Sequence, residues 1–160
     1  MNSSQERRIR DWMTSDPITV SGSTTLPEAY WLMVENNIRR LLVVDKNLLV
    51  GIVTMNDLRG SFHSEITTII PFRFNEILFK MPVRQFMSKD PITIAPTANV
   101  VEAARKMLEH KISTLPVMDS GKVVGIITES DLFRILVDFC LSQEAERNKK
   151  AKAETSKEDK

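Results

Sequence analysis

The sequence predicts a mixed α/β (α+β) fold made of two repeats, each with the element order β-α-β-β-α. The main observation is an internal duplication: a shift of 74 residues aligns Met13–Leu58 with Met87–Leu132 without a gap, and about two aligned positions in five are identical. Each copy also places one helical apolar periodicity before two strand-like apolar runs. A unit of about 48 residues is small for an independent core, so the two repeats are expected to share one.

The first half of each repeat is predicted to contain a short turn, an extended segment and a capped helix. Ile9–Met13 is expected to form the turn, which ends before Pro17 because the residue preceding a proline avoids the helical region. Thr25 and Glu28 have the spacing of a capping box, which predicts a helix from there to about Asn36.

The second half of each repeat is predicted to be a hairpin followed by a helix. Leu41–Val44 and Leu115–Met118 are continuous apolar runs, as expected of strands that are covered on both faces. Turn residues follow each run, and Leu49–Val53 and Val123–Ile127 are then the returning strands. Each returning strand leads directly into the second helix of its repeat.

The junction between the last strand and the last helix carries the signature G-h-h-T-x-x-D-L (h, apolar), once as GIVTMNDL and once as GIITESDL. Thr54 and Asp57, and again Thr128 and Asp131, lie where a strand tip meets a helix N-terminus. The unpaired N–H groups of a helix N-terminus suit a phosphate, and a nearby carboxylate can accept hydrogen bonds from ribose hydroxyls. The pattern therefore favours nucleotide binding. A helix cap alone, worth about 1 kcal/mol, is the competing interpretation.

Composition and charge exclude several classes of function. With a net charge of +1, the chain is not expected to bind nucleic acid or an anionic membrane surface. The single Cys140 excludes an intramolecular disulfide, and no apolar run approaches the ~20 residues of a membrane helix, so a cytoplasmic location is expected. His63 and His110 lack partners at a metal-ligand spacing, and the sequence assembles no nucleophile with a base. Neither a metal site nor an enzymatic activity is expected.

The doubled signature in matching sequence frames also points to a family. The chain resembles a tandem pair of cystathionine-β-synthase (CBS) domains, the arrangement called a Bateman module, over about residues 9–139. The segments DWMTSDPITV and IRRL are similar to those of small stand-alone bacterial modules of the acetoin-utilisation type. The resemblance implies a pseudo-twofold axis between the repeats and clefts that bind an adenosine ligand such as AMP, ADP, ATP or S-adenosylmethionine. It also implies pairing of two modules into a homodimer.

The resemblance implies a role for individual residues as well. Asp57 and Asp131 match the aspartates that hold ribose hydroxyls, and Thr54 and Thr128 match the position beside the phosphate or sugar. Two further segments of each repeat complete the implied site. They are the adenine-lining residues Thr19, Val20, Thr93 and Ile94, and the residues that enter the second strand, Arg39, Arg40, Leu41, Thr114, Leu115 and Pro116.

The two copies differ where the chain enters that second strand. Arg39 and Arg40 can meet phosphates bidentately, whereas Ser113 and Thr114 cannot, so two unequal clefts are expected. The sequence leaves open which cleft the arginines serve. It also leaves open whether they are only solvated charges at a strand edge.

The domain organisation follows from these patterns and from local composition. The predicted parts are a flexible N-terminus (1–8), the first repeat (9–62), an apolar linker docked on the module or on a second chain (63–82), the second repeat (83–141) and a disordered charged tail (142–160). The predicted function is a regulatory module that binds an adenine nucleotide and acts on a protein partner. The alternative is a dimerising scaffold of the same fold whose clefts bind nothing.

Overall fold

The computed structural model describes residues 7–62 and 80–158. Within them the chain forms two small sheets and four α-helices, with a short 3-10 turn before each repeat, at Ile9–Asp11 and Val83–Gln85. The strands are β1 (Thr14–Ser15), β2 (Thr19–Val20), β3 (Arg40–Asp45), β4 (Leu48–Thr54), β5 (Ser88–Lys89), β6 (Thr114–Asp119) and β7 (Lys122–Thr128). The helices are α1 (Leu26–Glu35), α2 (Met55–Phe62), α3 (Val100–His110) and α4 (Glu129–Glu158).

The two predicted hairpins are confirmed, and they have the same register. Leu41 lies opposite Val53 in the β3–β4 pair, and Leu115 lies opposite Ile127 in the β6–β7 pair. Each pair has one register irregularity at the equivalent place, near Val43 and near Val117. The duplication in the sequence is therefore a duplication of backbone geometry.

Each repeat gives its first strand to the sheet of the other repeat. The sheets have the strand orders β2-β3-β4-β5 and β1-β7-β6. Thr14 of β1 pairs with Ile126 of β7, and Ser88 of β5 pairs with Ile52 of β4, both antiparallel. We call residues 9–15 and 83–89 the leading segments. The sequence analysis assigned each leading segment to the repeat that it begins. In the structure, each leading segment completes the sheet of the opposite repeat.

The buried side chains fall into two clusters, one for each sheet, so the prediction of one shared core was wrong. The reason is the exchange of leading segments. Val83 is fully buried in the first-repeat cluster, where Met87 packs beside it, and Ile9 is fully buried in the second-repeat cluster together with Met13. Each small core is closed by side chains from the other half of the chain, and this is how two short repeats reach a buried interior.

The glycine of each signature motif is required by this exchange. A Cβ atom built on Gly51 would lie 2.6 Å from Met87 Sδ, and one built on Gly125 would meet Met13. Because these distances are shorter than a Cβ atom tolerates, a side chain at either position would force the methionine to shift, and at Gly51 also the Ser88 carbonyl at 2.9 Å.

The predicted capping box at α1 is confirmed, and the helix ends at Glu35, close to the predicted end. The Glu28 carboxylate accepts hydrogen bonds from the backbone N–H and the hydroxyl of Thr25, both at 2.8 Å. These bonds, the backbone one first, lower the pKa of Glu28. At α3, the Asn99 side chain accepts a hydrogen bond from the Glu102 N–H at 2.8 Å.

The C-terminal region differs from the prediction. Helix α4 continues to Glu158, so the prediction of a disordered tail is wrong for residues 142–158. This region has no glycine or proline and is rich in alanine, glutamate, lysine and arginine, which extend a helix readily once packing has nucleated it. Within residues 7–62 and 80–158, no helix is both long and apolar enough to cross a bilayer.

The predictions for residues 1–6, 63–79 and 159–160 lie outside the described residues. The last part of the predicted linker is described, and it contacts the first repeat. Met81 packs against the first-repeat core, and its carbonyl accepts a hydrogen bond from the Leu26 N–H at 3.0 Å.

Candidate functional site

Each signature aspartate lies in the first turn of its helix and accepts hydrogen bonds from the threonine that precedes that helix. In the first repeat, Asp57 Oδ2 accepts hydrogen bonds from the Thr54 N–H and the Thr54 hydroxyl, both at 2.7 Å. In the second, Asp131 Oδ2 accepts the same two bonds from Thr128, at 2.9 and 2.7 Å. The predicted capping contacts are therefore present in both copies, and they use the same carboxylate oxygen.

The surroundings of the two aspartates are different. Asp131 is only 6% exposed, and its second oxygen, Oδ1, accepts a hydrogen bond from Arg134 Nη1 at 3.0 Å. The residue in the equivalent position of the first repeat is Gly60. Asp57 is more exposed than Asp131.

A cleft of about 320 Å³ lies in front of Asp131, and both repeats line it. We call it the Asp131 cleft. Both repeats contribute polar side chains to it. Most of its apolar side chains, and two of its three arginines, come from the first repeat. The lining residues that matter for its chemistry are Asp16, Pro17, Ile18, Ile38, Arg39 and Arg40 from the first repeat, and Ile126, Thr128, Asp131 and Arg134 from the second.

Arg40 connects the two repeats at the edge of this cleft. Its Nη1 donates hydrogen bonds to the Ser113 carbonyl at 2.9 Å and to the Ser113 hydroxyl at 3.3 Å. Burial, followed by the neighbouring Arg39, lowers the pKa of the Arg40 guanidinium, and Glu129 and Asp131 raise it. The positive charge of a first-repeat side chain is thus held near carboxylates of the second repeat.

A second cavity, of about 610 Å³, lies on the other side of the two arginines. We call it the Thr54 cavity. Thr54, Asn56 and Arg59 line it together with Arg39 and Arg40. Both arginines therefore face both cavities. The sequence could not assign them to one cleft, and the structure places them at the boundary between the two.

The structure brings together some of the predicted site residues and separates others. Arg39, Arg40, Thr128 and Asp131 line one cleft, and Thr54 lines the other cavity. The remaining side chains have other surroundings. Val20, Leu41, Ile94 and Leu115 are buried in the two cores, Thr114 and Pro116 are buried, Thr19 is exposed, and the Thr93 carbonyl accepts a hydrogen bond from Lys106 Nζ at 3.2 Å.

Six of these lining residues were not among the predicted ones: Asp16, Pro17, Ile18, Ile38, Ile126 and Arg134. Asp16 and Ile38 are each identical to their counterparts in the second copy, and this identity was a usable signal. Arg134 has no such signal, because Gly60 stands opposite it in the alignment of the two copies. Its role depends on which face of α4 lines the cleft, and helical periodicity alone does not predict which face that is.

The described residues contain no group of three or more histidine, cysteine, aspartate or glutamate side chains that could hold a metal ion. His110 lies exposed at the end of α3. In the part of the chain that is described, the candidate site is therefore an arrangement of arginines and carboxylates around an apolar wall.

The sequence matches the CBS domain family at residues 9–64 and again at 83–138. The chain belongs to the CBS domain family, with two domains in tandem. Among curated relatives, it is 36% identical over 128 residues to inosine-5'-monophosphate dehydrogenase of Korarchaeum cryptofilum, of which it spans only 24%. It is 34% identical to a CBS domain-containing protein of Dictyostelium discoideum, covering 81% of this chain and 90% of that one.

Solved structures with the same fold include complexes with adenosine compounds. An acetoin utilization protein (AcuB) from Vibrio cholerae is 34% identical, with a TM-score of 0.70 over 86% of this chain and 96% of that one. CBSX2 of Arabidopsis thaliana, solved with AMP, is 31% identical, with a TM-score of 0.68 over 83% and 98%. The CBS domain pair of protein MJ0100, solved with 5'-methylthioadenosine and S-adenosyl-L-methionine, is 28% identical, with a TM-score of 0.70 over 82% and 96%.

Proposed function

We propose that this chain is a regulatory module that binds an adenosine ligand in the Asp131 cleft, with AMP, ADP, ATP and S-adenosylmethionine as the candidate compounds. One observation carries the proposal: an apolar wall, a nearly buried carboxylate and three arginines converge on one cleft between the repeats. Structural relatives of the same family, solved with AMP or with S-adenosyl-L-methionine, support the ligand class.

Each part of the ligand has a matching part of the cleft. Ile18 and Ile38 offer an apolar surface to the adenine ring. Asp131 is the acceptor for ribose hydroxyls, since Oδ1 is not used by the helix cap. Arg39 and Arg40 are the donors for a phosphate, because guanidinium groups bind phosphate oxygens bidentately. The proposed role of every group is to bind, and no step of bond breaking is proposed.

Regulation requires that the ligand favours one state of the module over another. A ligand shifts a conformational equilibrium only through its different affinities for the two states. The Asp131 cleft suits this requirement because both repeats line it, and Arg40 already links them through Ser113. Ligand binding would then change how the repeats pack, and a protein partner would respond to that change.

In this proposal a second copy of the chain covers the exposed apolar face of α4. Phe133, Leu136, Val137 and Leu141 on that face are all more than half exposed, at 64%, 56%, 58% and 61%. Helix α1 of the first repeat also exposes apolar side chains, Trp31 at 59% and Val34 at 45%. Exposed apolar side chains on helices of both repeats suit a contact between two copies of the chain. Sedimentation of the wild-type protein and of Leu136→Asp tests this, with a dimer expected only for the wild type.

Isothermal titration of ligand-free protein with AMP, ADP, ATP and S-adenosylmethionine tests the proposed function. We expect saturable binding of at least one compound and a matching rise in melting temperature. The scaffold alternative is favoured by one observation, the use of both signature aspartates as helix caps. A dimer whose melting temperature does not respond to any of the four compounds at millimolar concentration would establish that alternative instead.

A further inference from the structure

Arg134 distinguishes the second repeat from the first. It lies one helical turn after Asp131 on α4, lines the Asp131 cleft and donates a hydrogen bond to Asp131 Oδ1 at 3.0 Å. Oδ1 is the carboxylate oxygen that the helix cap leaves for a ribose hydroxyl. Arg134 therefore takes one acceptor position of the oxygen that the proposed function assigns to the ribose.

The ion pair between Arg134 and Asp131 is easily exchanged for another one. The Arg134 side chain is 76% exposed, whereas the Asp131 side chain is only 9% exposed. Ion pairs with such an exposed member contribute little, because water screens the charges and the long side chain loses rotamer freedom. A guanidinium binds a phosphate through two parallel charge-assisted hydrogen bonds, which is a stronger interaction.

The remaining charges around the cleft favour this exchange. Arg39 and Arg40 also line the cleft, and the only carboxylates among its lining residues are Asp16 and Asp131. A phosphate that enters gains a third guanidinium if Arg134 turns towards it. Asp131 stays close to a positive charge when Arg134 leaves, because Arg40 interacts electrostatically with it.

We propose that Arg134 selects for phosphorylated ligands by exchanging its pairing with Asp131 Oδ1 for the phosphate of the ligand. The exchange releases Oδ1 to the ribose hydroxyls and gives the phosphate a third guanidinium. An uncharged nucleoside must instead break the ion pair without a replacement for Arg134. This inference rests on the proposed function, and it narrows the ligand of the Asp131 cleft to phosphorylated adenosine compounds.

Titrations of the full chain with AMP and with adenosine test the inference. Arg134→Gln keeps a hydrogen-bonding side chain and removes the charge, and Arg147→Gln, on the exposed distal part of α4, is the matched control for loss of one positive charge. In Arg134→Gln we expect AMP affinity to fall by about tenfold while adenosine affinity stays the same or rises, because one charged hydrogen-bonding partner of the phosphate is lost. Arg147→Gln should change neither.

The ratio of the two affinities separates the possible outcomes. An equal loss for AMP and adenosine in Arg134→Gln would overturn the inference, since Arg134 would then only support Asp131. Unchanged affinities would overturn it as well. If the wild-type protein binds none of AMP, ADP, ATP and S-adenosylmethionine, the proposed function fails and takes this inference with it. Binding of S-adenosylmethionine without binding of AMP would overturn this inference alone, whereas selective loss of AMP in Arg134→Gln supports both.

Discussion

The signature turns of the two repeats are nearly identical in their backbone bonds and different in what surrounds them. Thr54 and Thr128 donate the same two hydrogen bonds to the aspartates that follow them. In the second turn Arg134 donates a hydrogen bond to Asp131, and at the cleft Arg40 of the first repeat reaches Ser113 of the second. The duplication has kept the groups that hold the backbone, while the side chains at the rims of the clefts have diverged.

The loops before the first helices show the same contrast. In the first repeat, Asp45 accepts hydrogen bonds from the Gly22 N–H and the Ser21 hydroxyl, both at 2.9 Å. In the second repeat, Pro96 occupies the position of Gly22 and has no N–H to donate to Asp119. Proline in place of glycine therefore removes this backbone hydrogen bond without changing the fold. Differences of this kind give a duplicated chain two unequal halves.

The largest effect on stability is expected at the two signature glycines, where the leading segments pair with strands β4 and β7. Gly51→Ala and Gly125→Ala should each lower the free energy of unfolding by about 1–3 kcal/mol, because the new methyl group overpacks the contact with a methionine. Gly51→Ala should cost more, since the Ser88 carbonyl lies 2.9 Å from the built Cβ, while the nearest backbone atom at Gly125, the Thr14 carbonyl, lies at 3.1 Å. Urea unfolding measures both values. Gly60→Ala, with no neighbour within 4 Å, is the control.

The next largest effect is expected on ligand affinity, from substitution of the signature aspartates Asp57 and Asp131. Asp131→Asn should weaken binding to the Asp131 cleft by about 10- to 100-fold, because a charged acceptor of ribose hydroxyls is lost. Asp57→Asn should leave that affinity within about threefold of the wild type, because Asp57 does not line the cleft. Titration with AMP compares the two variants. Equal losses in both would show that the ligand does not distinguish the repeats.

A smaller effect is expected for the paired arginines. Arg40→Gln should lower AMP affinity by about tenfold and stability by about 1 kcal/mol, because it removes a phosphate donor and the hydrogen bond to the Ser113 carbonyl at 2.9 Å. Arg39→Gln should affect affinity alone, since Arg39 is exposed. Titration and urea unfolding on the same samples separate the two quantities. A loss of stability in Arg39→Gln would contradict this division of roles.

The smallest effect is a difference in acid sensitivity. The Gly22 N–H, followed by the Ser21 hydroxyl, lowers the pKa of Asp45 below its ordinary value of 3.8. A depressed folded-state pKa contributes stability that is present above the ordinary value and is lost as the pH falls through the folded-state value. The acid limb of the stability curve, recorded by urea unfolding from pH 5 downwards, should therefore be slightly less steep in Asp45→Asn. An unchanged limb would show that this carboxylate does not contribute.

The sequence predicted the hairpins, the capping box and the capped signature turns because these depend on local patterns and on internal repetition. It did not predict that the leading segments change places, since Ile9 and Val83 look equally suited to either core. That arrangement depends on where two similar sheets lie relative to each other. The repeat alone does not encode it.

The candidate site shows the same limit. Asp131 and the two arginines were predicted from motifs, whereas Arg134 was found only through its hydrogen bond to Asp131. The tail was predicted to be disordered from its charge, and the helix propensity of the same residues outweighs that charge pattern. Composition predicts how a segment behaves in isolation. A helix whose first turns already pack on the core can continue through a charged segment that would not fold alone.

A crystal structure of the protein soaked with AMP tests the central claim most directly. We expect AMP in the Asp131 cleft, with its ribose hydroxyls within hydrogen-bonding distance of Asp131 and its phosphate against Arg39 and Arg40. AMP bound elsewhere would contradict the claim even though the fold would be unchanged. An Asp131 cleft that stays empty at saturating AMP, with Arg134 still hydrogen-bonded to Asp131, would contradict it as well.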